Sequence, residues 1–124
     1  MATVAATVTR IDDNTVKFFW ETLTTTNDNG TPIPVNWMSY SDRTVQVTGT
    51  FGAGGNLRVQ GSNDLAIYAA LSDPQGSALN IASAAIKQIL EVSLLMRPLV
   101  TAGDGTTDLD ISIIARRPRS GQEI

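Results

Sequence analysis

Apolar and polar residues alternate along most of this chain with a period of two, the spacing that puts successive side chains on opposite faces of a β-strand. The pattern is plainest over residues 44–51, where Val45, Val47, Gly49 and Phe51 share one face and Thr44, Gln46, Thr48 and Thr50 the other. It recurs over residues 109–115, with Leu109, Ile111, Ile113 and Ala115 on one side and Asp110 and Ser112 opposite. Residues 3–11 alternate β-branched with small or polar residues, Asp12-Asp13-Asn14 supplies turn chemistry, and residues 15–23 complete a first hairpin. In that second strand Trp20 shares a face with Val16 and Phe18, while Phe19 points the other way.

Glycine, proline and short polar side chains punctuate the rest. Residues 24–30 form a polar loop ending in Asp28-Asn29-Gly30, and Pro32 and Pro34 keep the following residues extended at a sheet edge. The spacing of oxygen ligands for a calcium loop is not met there, so a plain turn is expected. Residues 35–40 gather Trp37, Met38 and Tyr40 in a short strand or covering loop. Residues 52–55, Gly-Ala-Gly-Gly, allow the chain to reverse, and Leu57, Val59 and Gly61 then continue an apolar face in the returning strand. No helix opening on Lys-Ser or Lys-Thr follows, so the glycines are not a phosphate loop. Ser62-Asn63-Asp64 is the next turn, residues 66–71 the next strand, and Asp73-Pro74-Gln75-Gly76 a β-turn with Pro second and Gly fourth.

One segment departs from the alternation. Over residues 83–95, Ile86, Ile89, Leu90 and Leu94 fall at helical spacing, Lys87 and Glu91 stand four apart, and Ser83 is a suitable N-cap. A short helix near residues 83–91 is the expectation, with residues 92–97 open to an alternative strand stopped by Pro98. Residues 99–101, the turn Gly103-Asp104-Gly105 and residues 109–115 complete the chain. Turn signals every 8–12 residues or roughly so predict an all-β protein. The expected architecture is a single antiparallel β-sandwich or jelly roll over residues 1–124, with residues 115–124 as an extended C-terminal tail.

Composition narrows the chemistry. The chain has 124 residues, 42% apolar and 17% charged, with a net charge of −3, which suits one globular domain and offers no polybasic run for nucleic acid. It contains neither cysteine nor histidine. Disulfides, thiolate or Ser-His catalysis and the ordinary zinc site are thereby removed, so no enzyme, cofactor or metal is expected. The first residues lack the charged and apolar regions of a signal peptide, and no apolar run approaches the length of a membrane span. A soluble protein made in the cytoplasm is expected.

Three groups of side chains merit comparison with blander explanations. Asp104, Asp108 and Asp110 are the densest acids, yet a glycine-flanked turn accounts for the first and a solvated strand face for the others. Arg116, Arg117 and Arg119 form a basic terminus suited to an acidic protein surface, to nucleic acid or simply to solvent. Trp20, Trp37 and Tyr40 have the makings of an aromatic platform for sugar, although large aromatics in a small sandwich are more often core.

The run 45–52 (VQVTGTFG), then 59–64 (VQGSND), 71–76 (LSDPQG), Arg97-Pro98 and 103–107 (GDGTT) before a terminal strand resembles the small β-sandwich virion proteins of tailed bacteriophages, of the capsid cement or decoration type. The likeness covers roughly residues 43–117 and its motifs are turn-rich. Leu65, Ala66 and Tyr68 stand where such sequences often carry Gly, Thr and, in the following strand, Trp. The Ser-Asn-Asp turn followed by an aromatic and Leu71 is also similar to galactose-binding-like jelly rolls, which implies a receptor- or carbohydrate-binding module with Trp37 and Tyr40 as its platform.

The cement resemblance implies a protein on the capsid exterior of a virion, made in the host bacterial cytoplasm, with the major capsid protein as partner and homo-oligomers, dimers or trimers, as the working form. No membrane and no direct nucleic acid contact are expected. Extended termini suit contacts with several capsid subunits at once, which assigns partner contact to Thr3 and Val4 at one end and to Arg116, Arg117 and Arg119 at the other.

Overall fold

The computed structural model describes residues 3–117. Nine strands follow one another among the described residues: β1 (Thr7–Asp12), β2 (Thr15–Leu23), β3 (Asp42–Thr50), β4 (Asn56–Ser62), β5 (Ala69–Ala70), β6 (Asn80–Ile81), β7 (Ala85–Ile89), β8 (Leu95–Ala102) and β9 (Asp108–Arg116). A single 3-10 turn, Val35–Trp37, lies between β2 and β3. The strands form two antiparallel sheets, as the alternation predicts. One has the order β1-β2-β9-β3-β7; in the other, β4 pairs with β8 on one side and with the short β5 and β6 on the other.

The register explains the core. Val45 pairs with Ile113 and Val47 with Ile111 across β3 and β9, and Phe18 pairs with Ile113 and Trp20 with Ile111 across β2 and β9. Because a strand repeats every two residues, these pairs all face inward together. They meet Leu57 and Val59 of β4 and Met96 and Val100 of β8 in one buried cluster. Each such aliphatic or aromatic side chain contributes about 1.5–3 kcal/mol on full burial.

The expected helix near residues 83–91 is a strand. β7 pairs with β3 from Arg43↔Ile89 to Val47↔Ala85, and Ile89 is 2% exposed while Ile86 is 66% exposed. A helix would have buried both on one face; strand parity separates them. A helix this short is marginal in water, whereas the open edge of β3 offers a row of unpaired backbone donors and acceptors.

The glycine turn at residues 52–55 does not close a hairpin either. β3 and β4 belong to different sheets, so the turn carries the chain across the sandwich. Gly52 and Gly54, at φ of 72° and 68°, supply the left-handed backbone this requires. β9 takes the place beside β3 because its inward side chains match those of β3 over nine paired positions.

Three boundaries also differ. Of residues 66–71 only Ala69–Ala70 is strand, because the Asp64 carboxylate accepts the N–H groups of Ala66 and Ile67 in a turn. Pro98 does not end a strand but lies inside β8. Its carbonyl points outward to accept the Gly30 N–H at 3.1 Å, so its missing donor falls on the edge side, where the ladder does not need it. β9 runs through Arg116 with Ala115 buried, so residues 115 and 116 are sheet and not tail.

Candidate functional site

The C-terminal arginines sit at one end of the larger sheet. Arg116 closes β9, pairs in register with Asp42 of β3, and donates from Nη2 to its carboxylate at 2.7 Å. Arg117 donates from its backbone to the Asn14 carbonyl and from Nη2 to the Asp13 carbonyl at 2.9 Å, with its guanidinium 4.8 Å from the Tyr40 ring centre. Together with Asp12 and Asp42 they line an open cavity of about 650 Å³. Both cations thus have partners on their own chain, the Arg116 side chain remaining 60% exposed; the third, Arg119, lies outside the described residues.

At the other terminus Thr3 is exposed, but Val4 is half-buried against the core. The Val4 N–H donates to the Asn29 carbonyl at 2.9 Å and its carbonyl accepts from Thr31 at 2.8 Å. Val4 is thus fixed to the 29–31 segment beside β8. Among the described residues no bond joins Thr3 or Val4 to Arg116 or Arg117, so the two ends do not form one site.

Trp37 and Tyr40 do come together, with ring centres 5.2 Å apart, and Trp37 also meets Phe18 edge-on at 5.6 Å. Tyr40 is only 4% exposed, so this pair packs as core and not as an open face for a sugar ring. What holds it is Arg43, invisible to the sequence reading: Nε donates to the Tyr40 carbonyl at 2.8 Å, Nη2 to the Trp37 carbonyl at 3.0 Å, and Nη1 approaches Met96 Sδ at 3.7 Å. Among the described residues no carboxylate pairs with this buried cation, and burial lowers its pKa to about 10.

The acids serve turns and bulges. Asp110 accepts the Thr22 N–H at 3.0 Å, where β2 bulges between Trp20 and Leu23 and Thr22 adopts a φ of 63°. Asp108, exposed, opens β9 opposite Thr50. Asp104 accepts from Thr106 Oγ1 and from the N–H groups of Ala53 and Thr106, which hold its carboxyl down at about 2. Among the described residues no group of acids is placed to hold a metal ion.

Two surfaces stand out that the sequence reading passed over. At one end of the smaller sheet, Asp64 accepts from Ser62 Oγ at 2.9 Å and from the N–H groups of Ala66 and Ile67, and Asn63 Oδ1 accepts the Leu94 N–H at 3.0 Å. This presents Leu65 and Ile67, 61% and 75% exposed, on a braced loop. Asp64 is correspondingly more acidic than usual, through those backbone and Ser62 hydrogen bonds.

On the outward face of the same sheet, Arg97 lies 3.8 Å from the Tyr68 ring centre and donates from Nε and Nη2 to Gln60 Oε1. Arg58 on the adjacent strand donates to Asn80 Oδ1 at 2.6 Å. The signal for this second surface is present in β4 and β8, where Arg58, Gln60 and Arg97 all fall on the parity opposite the buried residues.

Compared with known proteins, the chain matches no family model, no curated protein and no solved structure.

Proposed function

We propose that this protein is a structural component of a tailed-phage virion, a cement protein that binds the outside of the capsid and stabilises it against internal DNA pressure. The observation that carries this reading is the braced apolar loop. Leu65 is held at a φ of 67°, a backbone conformation that a leucine adopts only at a cost, and both Leu65 and Ile67 point to solvent. Exposed apolar side chains on a rigid support suit a protein–protein contact, because little freedom remains to be lost on binding. The motif resemblance to capsid decoration proteins supplies the partner, the major capsid protein.

The remaining polar chemistry fits the same role. Asp104, Asp110 and Asp64 hold turns, a bulge and a loop, as a stiff scaffold requires. Homo-oligomers, dimers or trimers, match the two-fold and three-fold positions of an icosahedral shell and sum weak contacts by avidity. The test is to heat phage particles prepared with and without the protein and follow DNA release. Release at a lower temperature from particles lacking it is expected, and identical release curves would refute the role.

A further inference from the structure

Charge is divided unequally between the two sheets. The strands of the larger sheet carry acids and bases together, among them Asp12, Glu21, Asp42, Lys17 and Lys87. β4, β5, β6 and β8 contain two arginines, Arg58 and Arg97, and no aspartate or glutamate. In a chain of net charge −3 this acid-free sheet is the exception.

The two arginines are also prepared in geometry. Gln60 pairs with Arg97 and Arg58 with Leu99 across β4 and β8, so the two arginine side chains leave one face from diagonal positions, whose backbones stand roughly 7–8 Å apart. Arg97 is laid against Tyr68 and fixed at two nitrogens by Gln60; Arg58 is fixed at Nε by Asn80. Neither meets a carboxylate among the described residues, and each carries guanidinium N–H groups beyond those bonded to these anchors. Asn56, which donates to Thr101 Oγ1 at 2.7 Å, extends the same polar face along β4. Planar, pre-positioned guanidinium groups match carboxylate pairs in a fork-to-fork manner.

We infer that the outward face of the four-stranded sheet, centred on Arg58 and Arg97, docks on a carboxylate-rich surface of a partner protein. As the capsid-facing surface it rests on the cement reading above, while its chemistry stands on the charge and geometry of the sheet. Duplex DNA is the less suitable occupant, because two cations neutralise too few phosphates to outweigh a net negative chain.

Two measurements test it. In the first, the arginine Nε–H signals are followed by NMR while poly-glutamate or a short DNA duplex is added. Shifts concentrated at Arg58 and Arg97 with poly-glutamate are expected; shifts centred on other arginines, or stronger ones with DNA, would overturn the assignment. In the second, capsids stripped of the protein are sedimented with wild type, with Arg58→Gln/Arg97→Gln, and with Lys17→Gln/Lys87→Gln, which removes equal charge from the other sheet. Loss of two charge-assisted contacts weakens retention by roughly tenfold or more in the arginine variant alone. Retention of wild type and the arginine variant to the same extent, with matching circular dichroism, overturns the docking face. Failure of wild type to sediment, with the poly-glutamate shifts intact, overturns the cement reading and leaves the carboxylate-binding face standing.

Discussion

The Asp104 carboxylate accepts the backbone N–H of Ala53 at 2.8 Å and so ties the turn before β9 to the turn that carries the chain from one sheet to the other. Thr107 completes the clasp by donating its hydroxyl to the Phe51 carbonyl at 2.7 Å. Gly52 is required at this point: a side chain there would overlap the Asp104 carboxylate, and its backbone is left-handed. A polar contact between residues 51 positions apart thus fixes where the sandwich turns over.

Asp104→Asn is expected to lower stability at neutral pH. The carboxyl is held at about 2, below its unfolded value of 3.8, chiefly by the Thr106 hydroxyl and then by the Ala53 and Thr106 N–H groups. A depressed carboxyl contributes stability that is complete above the unfolded value and lost as pH falls through the folded one. Urea midpoints of wild type and variant measured from pH 7 downward should therefore converge between pH 4 and pH 2 or thereabouts. A constant gap over that range would show that Asp104 acts by shape and not by charge.

Ile89 and Ile86 discriminate strand from helix at residues 85–89. Ile89→Ala should cost about 2–5 kcal/mol, as for other buried aliphatic truncations, and Ile86→Thr less than about 0.5 kcal/mol. Comparable losses at both positions would restore a helix with one buried face.

That contrast also shows what was legible in the chain. The alternation of Val16, Phe18 and Trp20, and of Leu109, Ile111 and Ile113, marked inward faces that are all buried, because parity along a strand is a local property. Partner choice is not local. Nothing within residues 44–61 says that β3 pairs with β9 and not with β4, and Ile86 and Ile89 satisfy a helical period until an open sheet edge competes for their backbone. The same limit hid the Arg58–Arg97 face, since cross-strand neighbours become visible only once the register of β4 and β8 is known.

Arg43 makes a separate prediction about the aromatic cluster. Arg43→Ala leaves a cavity and unpaired carbonyls at Tyr40 and Trp37, for a loss of about 2–5 kcal/mol. Arg43→Met refills the volume and removes the buried charge, so its cost should be markedly smaller, about 1–2 kcal/mol from the carbonyls alone. Chemical denaturation followed by Trp fluorescence checks both, and equal losses for the two variants would mean that the hydrogen bonds, not packing, dominate.

Gly30→Ala tests the seat of Trp20. A methyl group on Gly30 would overlap the indole ring, whose Nε1 donates to the Thr31 carbonyl at 3.0 Å. Over-packing of this kind costs about 1–3 kcal/mol, and the near-ultraviolet dichroism of Trp20 should change with it. An unaltered spectrum at full stability would show that the ring has room to move.

Leu65 joins stability to function. Its left-handed backbone costs about 1–2 kcal/mol for a residue with a Cβ, and asparagine bears that conformation more easily because its short side chain bonds locally. Leu65→Asn should therefore raise stability by about 0.5–1 kcal/mol, since the leucine side chain is largely in solvent and contributes little to the core. If the apolar loop is a capsid contact, the same substitution should weaken retention on capsids, because a polar side chain replaces one whose burial there would be favourable. Stability up and retention down identifies Leu65 as a residue kept for binding at a cost to folding. Stability up with retention unchanged removes the loop from the contact surface and with it the principal structural support for the cement role.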